Sequence, residues 1–511
     1  MKKIIFFLPA LVLLLSSCGD FLEEESQSEV IPKTASDFSE LLVGNGYPDN
    51  AVPAFGWIGF MDDDCEAQVN AEIDQYDENW NYIGRINNFA GESMAVTPMP
   101  LYTWQPYSQD LDGFGTSINE TANATTYGQC YQKIMGCNAV LDGIDNATGT
   151  QEQRDRVKAE ALAVRSLLYF QLVNIYGEPY NYNKEALGVP LKLDANLSKD
   201  GIARVTVGQV YDKVIVPGLQ EAARLMDPYT VQSGNFHITQ PVIHILLSRA
   251  YLFMEKYKEC IEETDKAFKF GIRLANLPVE FNSTWSAGNQ NPFTYANPEV
   301  LWVFGPSTRP ENSSYKDGAA ISFLNLWQQY KAANSGETFT SNDANYDMRW
   351  DQFGLKAWNE NTGVILKSTG SGLIQNIRTA EAYLNKMEAE ALLHQDANAL
   401  KDLNAFCATR YANYTPKSYS GDELLKQIRD ERRREFCFEG FRWFDLRRQG
   451  MPEITHIYRT EKAGPNQIYT LKHNDPLYTV PLPQSVFEYN TSLIQNEARK
   501  ADDRQPVDIK N

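Results

Sequence analysis

Thr239-Gln240-Pro241-Val242-Ile243-His244-Ile245-Leu246-Leu247-Ser248-Arg249-Ala250-Tyr251-Leu252-Phe253-Met254, then Glu255-Lys256 and the run from Tyr257 through Phe270 to Gly271, is the stretch that decides the fold. Thr239 ahead of Pro241 marks a helix start, because proline is tolerated in a first turn where its missing N–H costs nothing. The apolar run continues to Met254. A short turn then leads into a second helix, which Gly271 can end. The two predicted helices form a hairpin that cannot bury its own apolar face, so several such hairpins must stack.

Ala250, Tyr251, Tyr257 and Ala267 sit where a tetratricopeptide unit places small and aromatic residues. Small residues let helices approach, and the rings fill the grooves between them. A second pair recurs near residues 378–411, with Ala382, Tyr383, Ala389 and Ala391 ahead of Asn398 to Tyr411. A third joins residues 127–147 to 152–176. Its second helix starts at a capping box, Thr150 with Gln153, carries Val157, Ala161, Val164 and Leu168 at helical spacing, and stops at Gly177 as a left-handed end. Thr206 with Gln209 and Ser420 with Glu423 are further capping boxes, opening helices at 206–226 and 421–436. The fold class expected is mainly α, with tetratricopeptide-like hairpins as scaffold.

Residues 44–120 and 275–370 do not read as helical. They are rich in Gly, Pro, Asn and aromatics, and hold eight of the nine tryptophans. Long irregular segments in a folded chain are usually functional, so these two are expected to form a loop-built layer over the scaffold.

The N-terminus carries Lys2 and Lys3, an apolar run from Ile4 to Leu15, and Leu15-Ser16-Ser17-Cys18. A positive start, a short apolar core and small residues at the cut are an export signal. The run falls short of the roughly 20 residues needed to span a bilayer. Cysteine at the cut makes Cys18 the expected lipidated first residue. The acidic stretch after it, Asp20 to Glu25, resembles the one that sends lipoproteins of Bacteroides-like bacteria to the cell surface.

The 511 residues are 43% apolar and 12% aromatic, with 27 Tyr, enough for a large core and an aromatic surplus suited to an amphipathic ligand. Formal charge is −19, and such a surface repels phosphate backbones, which argues against nucleic acid as a partner. Beyond Cys18 the cysteines are Cys65, Cys130, Cys137, Cys260, Cys407 and Cys437, spread singly and without a CxxC pair. They read as buried thiols, although export permits disulfides. The five histidines form no metal spacing, and neither a GxSxG elbow nor a phosphate loop is present. No catalytic residue, cofactor or metal is assigned. Asp62-Asp63-Asp64 reads as a solvated turn before it reads as a calcium site, and Asp343 to Asp347 fails the EF-hand pattern at Met348 and Gly354.

Four stretches resemble the SusD/RagB family of outer-membrane glycan-binding lipoproteins. They are Tyr169 to Gly177 leading to Gly188-Val189-Pro190-Leu191; Arg378 to Leu384 continuing to Glu388-Ala389-Glu390-Ala391; Ile428 to Phe436 followed by Glu439 to Arg448; and Val480-Pro481-Leu482-Pro483 with Asn490 and Gln495-Asn496. In the third, Arg432, Arg433 and Arg434 beside Glu431, Glu435, Glu439 and Asp445 are expected to interlock as ion pairs.

The resemblance implies a non-enzymatic surface lipoprotein that captures oligosaccharide and delivers it to a SusC-like TonB-dependent transporter. A surface glycoside hydrolase and a peptide-capturing RagB-like relative remain the alternatives. The resemblance also implies a shallow saccharide site on the loop layer. A sugar face stacks on aromatic rings and its hydroxyls need amides, carboxylates or Arg, which points to Trp80, Trp104 and Tyr107 with Asp62, Asp63, Asn81 and Arg85, and to Trp285 and Asn289. The expected layout is a signal at 1–17, an anchor and acidic tether at 18–43, and one domain at 44–511. Within it the scaffold takes 121–274 and 371–450, the loop layer 44–120 and 275–370, and a C-terminal segment 451–511.

Overall fold

The computed structural model describes residues 31–49, 52–53, 55–67, 71–76, 79, 81–88, 99–110, 125–196, 200–232, 236–281, 294–305, 317–319, 345–352, 356–359, 362–364, 375–458 and 465–509, with backbone alone for several short strands and for residues 350–351. Its main helices are α1 (Ala35–Leu41), α2 (Thr126–Gly143), α3 (Gln151–Tyr176), α4 (Val216–Met226), α5 (Gln240–Phe253), α6 (Tyr257–Phe268), α7 (Thr379–Leu392), α8 (Asp396–Ala408), α9 (Gly421–Phe436) and α10 (Arg442–Arg448). The chain is mainly α, as the helical spacing predicts.

Successive helices pack in a continuous stack: α2 on α3, α3 on α4, α4 on α5, α5 on α6, α6 on α7, and α7 on both α8 and α9. The step from α6 to α7 leaps over residues 269–378. That excursion is pinned at its base, where Val300–Phe304 pairs antiparallel with Gln375–Arg378 and Thr379 N–H donates to the Glu299 carbonyl. The helical repeat therefore continues across the insertion, each hairpin burying the face its neighbour cannot bury alone.

Every residue of α5 is buried, which is why this helix shows no polar face. Its polar side chains are met inside. Arg249 forks onto Glu381 at 2.5 and 2.7 Å. Ser248 accepts from Asn385, and His244 contacts Glu263 at 2.6 Å and Asp227 at 3.2 Å. Burial pushes the His244 imidazole down, but the two carboxylates outweigh it and leave its pKa raised.

Capping follows the sequence at α3, where Thr150 and Gln153 exchange hydrogen bonds, and at Thr206 with Gln209. It departs at α9. Ser420 makes no side-chain cap, and Asp396 accepts the Gly421 N–H instead, so a neighbouring helix supplies what the local box does not. Gly177 is extended at φ −108° rather than left-handed. Its lack of a side chain serves close approach, since a Cβ there would lie 2.8 Å from the Val173 carbonyl and 2.9 Å from Val207. A further difference is α1, which lies inside the stretch expected as tether. Thr34 and Asp37 cap it reciprocally, and Ala35, Phe38 and Leu42 are buried against α2 and α3.

The charged helix α9 is locked by ion pairs whose reach exceeds the motif itself. Glu435 accepts from Arg349 (2.8 Å), Arg378 (2.5 Å) and Arg410 (3.0 Å). Glu431 takes Arg434 at 2.9 Å and also contacts Arg349. Asp445 takes Arg432 at 2.9 Å, and Glu388 takes Arg448 at 2.7 Å. Burial pushes Glu431 up, yet Arg349 and Arg434 outweigh it and hold its pKa at about 2. Cys130, Cys137, Cys260 and Cys407 are buried free thiols, as the sequence suggests, and Cys437 is buried as well.

Candidate functional site

The sequence-chosen residues fall into three groups. Cys18, Trp80, Trp285 and Asn289 lie outside the described residues. Asn81 is exposed just before the strand Tyr82–Asn88, which pairs with Ala71–Tyr76 and contains Arg85 opposite Asp74. Trp104, Asp62 and Asp63 are brought together, but as a packing node.

Trp104 is 1% exposed. Its indole N–H donates to the Met61 carbonyl at 2.9 Å, and its ring stacks 4.2 Å from His456. Asp62 is buried. Its carbonyl and that of Tyr102 flank the His456 ring at 2.9 and 2.6 Å, and burial pushes that imidazole down to about 4. Asp63 is forked by Arg442 at 2.6 and 2.8 Å, and Asp64 holds Arg433 at 2.6 Å. The aspartate run is thus neither a solvated turn nor a free acidic cluster, because two arginines from the α9–α10 region neutralise it. Tyr107 is half-buried. Trp104 and Asp62 offer no open face to a ligand.

Trp57 and Trp302 are likewise sealed, donating to Thr126 Oγ1 and to the Phe236 carbonyl at 3.0 Å each. No group of three or more His, Cys, Asp or Glu side chains that could hold a metal occurs among the described residues.

An aromatic recess of about 60 Å³ instead opens where the stack meets the base of the insertion. Phe170 and Gln171 reach it from α3, and Arg249 and Phe253 from the last turns of α5. Phe304, Gln375 and Asn376 come from the paired strands, Phe55 and Ile58 from the 3-10 turn near Gly56–Phe60, Phe441 from the α9–α10 connection and Phe444 from α10. That connection turns sharply because Phe438 takes φ +58° and Gly440 φ +78°. Left-handed backbone at a phenylalanine is strained and persists only where its surroundings over-determine it. The turn throws Phe441 back over α5, where it lies 5.0 Å from the Arg249 guanidinium, while Phe170 and Phe253 meet edge to face at 5.0 Å.

Charges at the recess are already met. Arg249 holds Glu381, and Glu439 holds Arg378 at 2.7 Å. Two of its amides are not: both Oδ1 and Nδ2 of Asn376, and Oε1 of Gln171, have no hydrogen-bond partner. Apolar rings around a few unpaired polar groups suit a neutral amphipathic ligand. A second, more polar cleft of about 320 Å³ lies between α1, α3 and the start of α5, where Glu160 contacts His237 and Tyr47 at 2.7 Å each. The Glu160 carboxylate leaves the His237 pKa raised against its partial burial.

In the sequence, Gln171, Phe441 and Phe444 fall within the motifs shared with the SusD/RagB family, and nothing local singles out Asn376. The available signal was the density of phenylalanine in Phe436-Cys437-Phe438 and Phe441-Arg442-Trp443-Phe444, in a segment whose charges cancel.

A stack of helical hairpins, with the paired strands Val300–Phe304 and Gln375–Arg378 pinned to its side, defines a tetratricopeptide-like scaffold. Its relatives place it more narrowly. The family described as "Starch-binding associating with outer membrane" matches residues 58–252, and the SusD family matches residues 295–498. The chain belongs to the SusD/RagB family. It is similar to a SusD-like protein, P25, of Formosa agariphila, at 21% identity over 94% of this chain and 96% of that protein. Among solved structures, a putative sugar binding protein from Bacteroides vulgatus aligns with TM-score 0.66 and 22% identity over 92% of this chain and 99% of the other. A SusD superfamily protein from Bacteroides fragilis aligns with TM-score 0.65 and 21% identity over 90% and 99%.

Proposed function

We propose that this protein is a non-enzymatic, cell-surface glycan-binding lipoprotein, held on the outer membrane through lipid on Cys18, that captures oligosaccharide and passes it to a SusC-like TonB-dependent transporter. The observation that carries the reading is an open aromatic recess with unpaired amides in a chain of the SusD/RagB family. Relatives named as sugar binding or starch-binding support the ligand class. The export signal ending at Cys18 supports the anchor, and no helix among the described residues is long and apolar enough to cross a membrane by itself. The candidate contacts Trp80, Tyr107, Asn81, Arg85, Trp285 and Asn289 belong to the same reading, as further ligand contacts of the loop layer.

Calorimetric titration with a panel of oligosaccharides tests it. Saturable binding without product release is the expected result, and steady release of cleaved sugar rejects it. Radiolabelled palmitate in cells expressing the chain or Cys18→Ala tests the anchor, with label expected only in the former. Co-purification with a transporter from detergent extracts tests the partner.

A further inference from the structure

The aromatic recess poses a chemical demand more specific than carbohydrate in general, and the inference drawn from it rests on the glycan-capture reading. Asn376 is 7% exposed, yet neither its donor nor its acceptor is used, whichever way round the amide is placed. Gln171 adds a buried, unused acceptor lining the same space. Buried polar groups are nearly always paired, so three orphan atoms on residues lining one recess mark a place for a partner. The partner is neutral, because Arg249 and Glu439 are already engaged.

It carries both an acceptor and a donor. The carbonyl of a secondary amide accepts from Asn376 Nδ2. Its N–H, which points to the opposite side in the trans form, donates to Gln171 Oε1. Asn376 Oδ1 remains for a hydroxyl. The walls are phenylalanine rings, which receive a methyl group. A cavity of about 60 Å³ accommodates roughly four to six water-sized groups, enough for an acetamido substituent and too little for a sugar ring as well.

We propose that this recess takes the acetamido group of an N-acetylated hexosamine, with the sugar ring left at the mouth beside the part-exposed Phe441 and Phe444. The glycan captured is then one bearing N-acetylated amino sugars.

The test compares N,N′-diacetylchitobiose with cellobiose, which lacks the acetamido groups, against purified protein by calorimetry and saturation-transfer NMR. The diacetyl compound is expected to bind at least tenfold more tightly, with its acetyl methyl protons receiving the strongest saturation. Asn376→Leu and Gln171→Leu are each expected to lose that tenfold with circular dichroism unchanged. Gln171, at the half-buried mouth, carries the test where the strand variant does not fold. Equal affinity for the two sugars, or undiminished binding in a folded variant, overturns the acetamido assignment while leaving glycan capture standing. A stronger Asn376-dependent response to N-acetylglycinamide than to the diacetyl sugar overturns it in favour of a peptide amide. Binding of no oligosaccharide in the panel overturns the assignment together with the reading it rests on.

Discussion

Two buried polar regions of this protein meet at the strand Gln375–Arg378 and are built on opposite terms. Around Glu435 the carboxylate oxygens are saturated: Arg349, Arg378 and Arg410 converge on one group, and Glu431 answers Arg349 and Arg434. Two residues before Arg378, Asn376 is almost as buried and its amide meets nothing. The first region shows what buried polarity looks like when its purpose is to fix structure. The contrast argues that the second exists for something outside the chain, since an unmet buried amide costs about 1–3 kcal/mol that an apolar side chain would avoid.

The strongest way to break this comparison is to unbalance the saturated side. Glu435→Gln removes the charge shared by three arginines, and is expected to cost about 3–5 kcal/mol, the usual result of leaving buried charges uncompensated. Urea unfolding measures it, and a loss below about 1 kcal/mol would mean the arginines find water.

Acid attacks the same region with a defined sign. Arginines hold Glu435, Glu431 and Glu388 below the usual carboxylate range despite burial. Their contribution is complete above the unfolded glutamate value of about 4.5 and is lost as pH falls through the folded values, at about 2 for Glu431. Circular dichroism against pH should show unfolding in that interval, and a fold intact at pH 2 contradicts it.

On the unsaturated side the expected effect is smaller and reversed. Asn376→Leu should leave stability unchanged or raise it by about 1 kcal/mol, because the orphan amide is removed, while ligand affinity falls. A destabilised variant would show that Asn376 serves packing.

An effect that appears only at high pH sharpens the distinction. Glu390 on α7 is buried, with Oε2 unpartnered, and burial pushes its pKa up to about 7. A raised carboxylate stabilises the fold fully below its unfolded value of about 4.5, and that contribution is lost as pH rises through 7. Glu390→Gln should therefore raise the melting temperature at pH 8 and leave it unchanged at pH 4.

The scaffold was legible because its signals are local. Thr150 with Gln153, Thr206 with Gln209, and small and aromatic residues at helical spacing act over one or two turns. Where a cap depends on another helix, as Asp396 serves Gly421, the local box at Ser420 misleads. Helix α1 escaped notice because the acidic stretch before it reads as tether, and only contact with α2 and α3 makes Phe38 a core residue.

The site was much less legible. Tryptophans in irregular sequence suggest a shallow saccharide site, but an indole can be buried where its N–H finds an acceptor, and those acceptors stand far away in sequence: Thr126 for Trp57, Met61 for Trp104 and Phe236 for Trp302. The recess, by contrast, is assembled from six separate segments, none of which points to a ligand by itself.

Because α7 settles directly on α6, the helical repeat does not depend on the length of the 269–378 excursion between them. What the scaffold does depend on are a few fixed points within it, Glu299, Trp302, Arg349 and Arg378, which enter the ion-pair lock or the core. Sequence between those points can change at small cost to folding, and sequence at them cannot.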